Sequence, residues 1–264
     1  MRVVDLDRDM SDVIPTGMTP DSEFLFDRMT EITLERTEPA PGRTILDVAS
    51  GVGQDAMTLA ERGVIAFGAE PSARMTGMAK LYAANNDRVM PHWVQGWSDS
   101  LPFADDTFDA SFCKGALDHF DCPERAIAEM ARVTKPDGRV VIAIANFDSL
   151  ACRAGRAIDD FRQDVLGTGP LRDRRGYDAP SDHFTRYEVD LIREQASAHL
   201  ELLSVEGLSM GWGMPGWSQL MHVLPRPVAD ASIQLMHRAG QTWPTLSDVI
   251  VVAGRPRRSA TTSA

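Results

Sequence analysis

The chain is poor in cysteine and poorer in lysine. Cysteine stands at Cys113, Cys122 and Cys152, an odd number with no Cys-x-x-Cys pair, which excludes a disulfide framework and argues against a zinc ligand set. Lysine stands at Lys80, Lys114 and Lys135 only, a compositional habit of the genome rather than a functional mark. Positive charge is short overall: 27 Lys and Arg against 38 Asp and Glu give a net charge of −11. A phosphate backbone would be repelled, so no nucleic-acid role is expected and small molecules become the default ligands. No apolar run reaches about 18 residues, which argues against a membrane span. The stretch Met1–Met10 is charged and has no apolar h-region, so no signal peptide is expected and the expected location is cytoplasmic. The six histidines are scattered, and no metal site is expected.

What is present is a hydrophobic fraction of 43% over 264 residues, ample for one large domain or a domain with an added cap. The most informative stretch is Ile45-Leu46-Asp47-Val48-Ala49-Ser50-Gly51-Val52-Gly53-Gln54-Asp55. An apolar strand carries an acid near its end, turns through two glycines and enters a helical pattern. A second apolar run, Val64–Ala69, ends on Glu70. Strand, glycine loop, helix, strand and acid in this order describe a nucleoside-binding α/β unit. The loop lets backbone approach a ligand, and the second acid can accept both hydroxyls of a ribose.

Periodicity organises the rest. Residues 1–40 read as a lead-in with one cap helix carrying Phe24, Met29 and Ile32. Strands are expected at 44–49, 64–69, 92–95, 108–113 and 139–145, with helices at 54–62, 73–85 and 124–133 between them. That alternation means a parallel sheet with helices on both faces, in a core spanning 41–146. The rhythm then breaks into a lid or substrate insertion over 147–199. It contains a helix over 150–166, a polar loop, and a second helix for which Thr185-x-x-Glu188 suggests a capping box. Residues 200–255 supply two more strands around an insertion at 210–246, expected as two short helices split at Pro225-Arg226-Pro227. Residues 256–264 read as a disordered tail.

Four segments in order resemble the class I S-adenosylmethionine-dependent methyltransferases, in the branch of the ubiquinone and menaquinone biosynthesis enzymes. Asp47–Gly53 is similar to the family's acidic glycine loop, with Ala49 in place of its first glycine. Glu70-Pro71-Ser72 is similar to its ribose-binding acid. Leu101–Asp109 resembles its Leu-Pro-Phe segment, and Arg132–Arg139 resembles the turn before the fifth strand. The resemblance implies a Rossmann-like, mostly parallel seven-stranded sheet with the last strand antiparallel, helices on both faces and helical lid insertions. It implies S-adenosyl-L-methionine as cofactor and a methyl transfer to an O or C atom of a small, largely apolar metabolite, by a monomer or homodimer.

Carried onto this chain, the resemblance gives Asp47 the cofactor's amino-acid end, Ala49, Ser50, Gly51 and Gly53 close backbone, and Glu70 the ribose. Pro71 and Met75 would pack on adenine. Trp97 stands where the family often has an acid for the adenine amino group; it can cover the ring instead, with Ser98 as a polar contact. Lys114 and His119 follow the fourth strand, where the Lys114 carbonyl would face the cofactor while its ammonium points elsewhere. In-line transfer from an activated sulfonium asks mainly for alignment and exclusion of water. If a base is needed, His119, His183, Tyr177 and Tyr187 are the candidates. Arg153, Arg156, Arg172, Arg174 and Arg175 can meet an acidic acceptor or simply face water. The Met- and Trp-rich stretch Met210–Trp217 suits a cover over an apolar ligand, or packing over the sheet edge, or a dimer contact. Two other classes stay open: an NAD-dependent oxidoreductase using Gly51-x-Gly53-x-x-Ala56, and a non-catalytic cofactor-binding partner protein.

Overall fold

The computed structural model describes residues 19–169 and 184–258. Seven strands form one sheet in the order β3-β2-β1-β4-β5-β7-β6. They are β1 (Thr44–Val48), β2 (Ile65–Ala69), β3 (His92–Val94), β4 (Phe108–Lys114), β5 (Thr134–Ala145), β6 (Leu200–Leu208) and β7 (Val249–Pro256). The first five run parallel, and β7 lies antiparallel between β5 and β6. This is the mostly parallel sheet expected from the sequence, with the reversed last strand.

Both faces are covered, which explains the continuous apolar runs of the central strands. Along β5, Val140, Ile142 and Ile144 point to one face, with Ile127 and Met130 of α4 (Pro123–Val133) and Ile192 of α6 (Val189–His199). Val141 and Ala143 point to the other, with Leu25, Met29 and Ile32 of α1 (Pro20–Arg36) and Leu59 of α2 (Gln54–Glu61). A third cluster joins Met57 of α2, Met75 and Ala79 of α3 (Ala73–Asn85) and Trp93. The remaining helices are α5 (Leu150–Asp164), α7 (Trp217–Val223) and α8 (Arg226–Thr242). Among the described residues no helix is long and apolar enough to cross a membrane.

Sequence and structure part at four places. The helix expected to be capped by Thr185 begins at Val189, with Glu188 in the cap position and no side-chain cap bond. The Thr185 N–H instead donates to the Asp118 carbonyl, beside a bond from Phe184, because that strip is docked on the turn after β4. β5 starts at Thr134, ahead of the expected turn at Pro136–Gly138, and its pairing with β4 jumps between Phe108 and Ala110. Of the expected disordered tail, Pro256 pairs with Leu200, Arg257 N–H donates to the His199 carbonyl, and Arg258 bonds Asp106 and the Thr134 carbonyl. The second insertion holds one short helix, α7, and one of 17 residues, α8.

The strand order places the topological switch between β1 and β4. In an open α/β sheet the crevice beyond the carboxyl ends at such a point is where ligands bind, and Asp47, the loop 49–53, Glu70 and Lys114 lie at those ends.

Candidate functional site

The glycine loop follows from local conformation. Ala49, Gly51 and Gly53 all have positive φ, at 58°, 53° and 76°. Three left-handed residues within five positions curl the backbone tightly between the end of β1 and the start of α2. Ala49 N–H donates to the Ala69 carbonyl at 2.9 Å and Gly53 N–H to the Ser50 carbonyl at 2.7 Å, which ties the loop to β2 and to itself. The loop's companion is Glu70, only 7% exposed at the end of β2. One of its oxygens accepts from Gly51 N–H at 3.0 Å and the other from Ser72 N–H at 2.9 Å. Ser72 in turn caps α3 by accepting from Met75 N–H. The carboxylate is thereby held at the loop with both oxygens oriented.

Asp47 lies on β1, 5% exposed, beside Asp55 in the first turn of α2. Burial pushes its carboxyl well above the usual carboxylate range; Asp55 and Glu70 add to that rise while Lys114 opposes it. Lys114 ends β4, and its ammonium sits 2.7 Å from Asp55 Oδ2 and donates to Thr30 Oγ1 of α1 at 2.6 Å. The ammonium thus points to α1 and α2 and finds a protein carboxylate there, a destination the sequence did not indicate. Neither Asp55 nor Thr30 stood out in the sequence. Asp55 follows Asp47 by one loop length, a spacing that offers a signal; Thr30, 84 positions before Lys114, offers none.

Met75 is buried and packs with Val52 and Met57, within reach of Gly51, where an added Cβ would meet its terminal methyl at 3.3 Å. Pro71, Trp97 and Ser98 are half-buried on the same rim, and Trp97 bridges to Ser100. Trp93, unremarked in the sequence, lies under the loop: a Cβ on Gly53 would stand 2.5 Å from its ring and one on Gly68 3.2 Å. Its indole N–H donates to Thr76 Oγ1. The absence of a side chain at Gly53 therefore has a packing reason besides its positive φ.

Of the candidate bases, His119 sits in the 3-10 turn Leu117–His119 directly after β4, its side chain 39% exposed and its Nε2 4.0 Å from Oδ1 of the buried Asp118. Tyr187 is placed differently from the expectation of a pocket-facing base. It is fully buried, its hydroxyl donates to Gln195 Oε1 of α6 at 3.0 Å, and burial pushes its phenol up so that it stays protonated. His183, Tyr177, Arg172, Arg174 and Arg175 lie outside the described residues. Arg153 and Arg156 both pair with Asp148, which uses their charge locally.

The Met and Trp stretch docks on α1. Trp212 stacks edge-on against Phe26 at 5.9 Å and donates from its indole to Ser22 Oγ, while Ser218 Oγ donates to Asp21 Oδ2. The turn itself is held by Asp248, which accepts from Gly211 and Trp212 N–H at 3.1 and 3.0 Å.

The resemblance implies a nucleoside bearing a sulfonium and an ammonium, and the donor set fits it. Asp47, Asp55 and Glu70 bring carboxyl groups to the loop, with Lys114 paired to Asp55, a surrounding suited to a cationic ligand. The Ser50 hydroxyl is buried at the loop with no hydrogen-bond partner among the described residues, a polar atom of the kind a bound ligand satisfies.

Residues 46–142 match the methyltransferase-domain family. A demethylmenaquinone methyltransferase of Renibacterium salmoninarum is 32% identical over 133 residues, half of this chain and 51% of its own length. The chain spans about half the length, or less, of the curated relatives it matches. Among solved structures, the YcgJ protein of Bacillus subtilis superposes with a TM-score of 0.56 at 20% identity, over 88% of this chain and all of its own. A SAM-dependent methyltransferase from Aquifex aeolicus gives 0.57 at 15% identity, over 94% and 98%.

Proposed function

We infer that this chain, whose residues 46–142 match the methyltransferase-domain family, transfers the methyl group of S-adenosylmethionine to a carbon or oxygen of a small, largely apolar acceptor. The observation that carries the reading is the pair of buried carboxylates flanking one left-handed glycine loop: Asp47 at the end of β1 and Glu70 at the end of β2, the latter bonded to Gly51.

Glu70, held at the loop by Gly51 and Ser72 N–H, is the carboxylate assigned to the two ribose hydroxyls, whose bonds to it would be charge-assisted. Asp47 faces the ammonium of the amino-acid end. Met75, Pro71 and Trp97 supply the apolar surface for adenine. When bound, the cofactor supplies an electrophilic methyl already activated by its positive sulfur, so the chain's own work is alignment and dehydration.

Reduced quinones and related phenols are the first acceptors to test, because the relatives of known name act on demethylmenaquinone. Such a ring becomes nucleophilic at carbon or oxygen once a hydroxyl is deprotonated. His119, half-exposed at the end of β4, is the residue assigned to receive that proton. The test is incubation of the purified chain with methyl-labelled S-adenosylmethionine and a panel of hydroquinones and phenols, read as label in the organic phase. Binding of S-adenosylhomocysteine by calorimetry with no methylation of any acceptor would leave a cofactor-binding protein without transferase activity. Absence of binding would remove the reading altogether.

A further inference from the structure

The crevice at the end of β1 holds an arrangement that the cofactor reading does not require. Three carboxylates, Asp47 on β1, Glu70 after β2 and Asp55 on α2, gather around one loop, and the ammonium of Lys114 stands beside them. Its Nζ is fixed by two partners on different helices, Asp55 Oδ2 at 2.7 Å and Thr30 Oγ1 at 2.6 Å. Lysine occurs at only three positions in the chain. At a site meant for a cationic ligand, a lysine first looks adverse, since it repels the ligand's ammonium and sulfonium.

The adverse effect is outweighed by another. A carboxylate 5% exposed and flanked by two others takes up a proton rather than remain charged, and a protonated Asp47 offers nothing to an ammonium. Resting on the proposed cofactor assignment, we propose that Lys114 is a positioning residue of this site: held between Asp55 and Thr30, it offsets the neighbouring negative charge and so presents Asp47 to the ligand as a carboxylate. The lysine's ammonium is committed to protein partners, Asp55 of α2 and Thr30 of α1. The charged groups facing Asp47 act accordingly: burial, Asp55 and Glu70 favour its neutral form and Lys114 favours its charged form. Cys113, next to Lys114 on β4, feels both Asp47 and Asp118 and is itself pushed up by burial, so it stays a neutral thiol.

Calorimetric titration with S-adenosylhomocysteine, which carries the ammonium, across pH 5.5 to 8.5 tests this without any turnover. In the wild type, affinity falls toward acid as Asp47 is protonated. Lys114→Met moves that fall to higher pH, so that binding is weakened roughly tenfold at the acid end and much less at the alkaline end. Lys114→Arg keeps the wild-type profile. Asp55→Asn removes a neighbouring negative charge and moves the fall the other way, which keeps the proposal testable if Lys114→Met does not fold. A Lys114→Met profile that superimposes on the wild type, a loss of equal factor at every pH, or an unmoved Asp55→Asn profile would each overturn the role of Lys114 while leaving the cofactor assignment intact. Wild-type protein that binds neither S-adenosylhomocysteine nor S-adenosylmethionine at any pH would overturn both.

Discussion

The ring of Trp93 occupies the space that a side chain at Gly53 would need, with 2.5 Å between its ring and the place of a Cβ. The φ of Gly53 is also 76°, a left-handed value that costs any side chain about 1–2 kcal/mol. Gly53→Ala therefore combines a conformational and a packing penalty and is expected to destabilise the fold by roughly 2–4 kcal/mol. Urea denaturation of Gly53→Ala in the wild-type and Trp93→Leu backgrounds separates the two parts. The Trp93→Leu background should recover the packing share; an equal loss in both would show that the indole is not the obstacle.

Ala49 presents the converse case. It stands where the resembled family has glycine, yet its φ is 58°, so the loop retains the glycine conformation and carries the strain of a methyl group. Ala49→Gly relieves about 1–2 kcal/mol of that strain and gives back part of it through the freer unfolded chain. The expected net effect is a stabilisation of about 0.5–1 kcal/mol, read as a higher urea midpoint at unchanged slope. A lower midpoint would mean that the methyl group makes favourable contacts which outweigh the strain.

Glu70 gives the sharpest test of ligand class. Glu70→Gln is nearly isosteric and keeps one oxygen acceptor for Gly51 or Ser72, but it removes the charge that strengthens bonds to a pair of hydroxyls. Affinity for S-adenosylhomocysteine should fall at least tenfold, corresponding to roughly 1.5–3 kcal/mol, and the thermal midpoint of the free protein should fall as well, because the amide NH2 replaces the acceptor of one of the two backbone N–H donors. NADH, titrated alongside, should bind neither variant; NADH binding with no response to S-adenosylhomocysteine would favour the oxidoreductase alternative.

The same residues show why some of this was legible in the sequence and some was not. β1, its glycine loop, β2 and Glu70 lie within one stretch of chain, so apolar runs, glycines and a terminal acid are enough to read them. The central strands were readable because burial on both faces leaves an unbroken apolar run such as Val140–Ile144. Contacts between distant segments left no local trace: Lys114 meets Thr30 from 84 positions away, and Arg258 reaches Asp106 across 152. Tyr187 stood as a candidate base because it lies at the start of the lid helix, and only packing against α6 shows that its ring belongs to the core. The Thr185–Glu188 pattern failed for a related reason, since the Thr185 backbone is already committed to Asp118.

Asp248 links the Gly211–Trp212 turn to pH. It is 4% exposed, and burial pushes its carboxyl up to about 7 despite hydrogen bonds from Trp212 and Gly211; the nearby Asp21 of α1 adds to the rise. An acid with a raised folded pKa holds a proton that the unfolded chain has already released. Its contribution to stability is complete below about pH 4 and is lost as pH rises through 7. The lowered acids Glu61, Asp109, Glu129 and Glu206 do not interfere in this window, because their contributions change only below their ordinary pKa values. Asp47, also raised, acts in the same direction as Asp248. His237 acts oppositely, since burial lowers it and its folded form resists charging below about pH 6.5. The total slope of the wild type is therefore mixed, and the informative quantity is its difference from Asp248→Asn. That variant loses one of the two acceptors for Gly211 and Trp212 and starts from a lower stability at pH 5, but it lacks the titrating proton. Between pH 5 and 8 the wild type should lose on the order of 2–4 kcal/mol more than the variant, so the two stability curves approach one another as pH rises. Urea unfolding at intervals of half a pH unit measures this, and parallel curves would mean that Asp248 is already ionised at pH 5 and holds the Gly211–Trp212 turn as a carboxylate throughout.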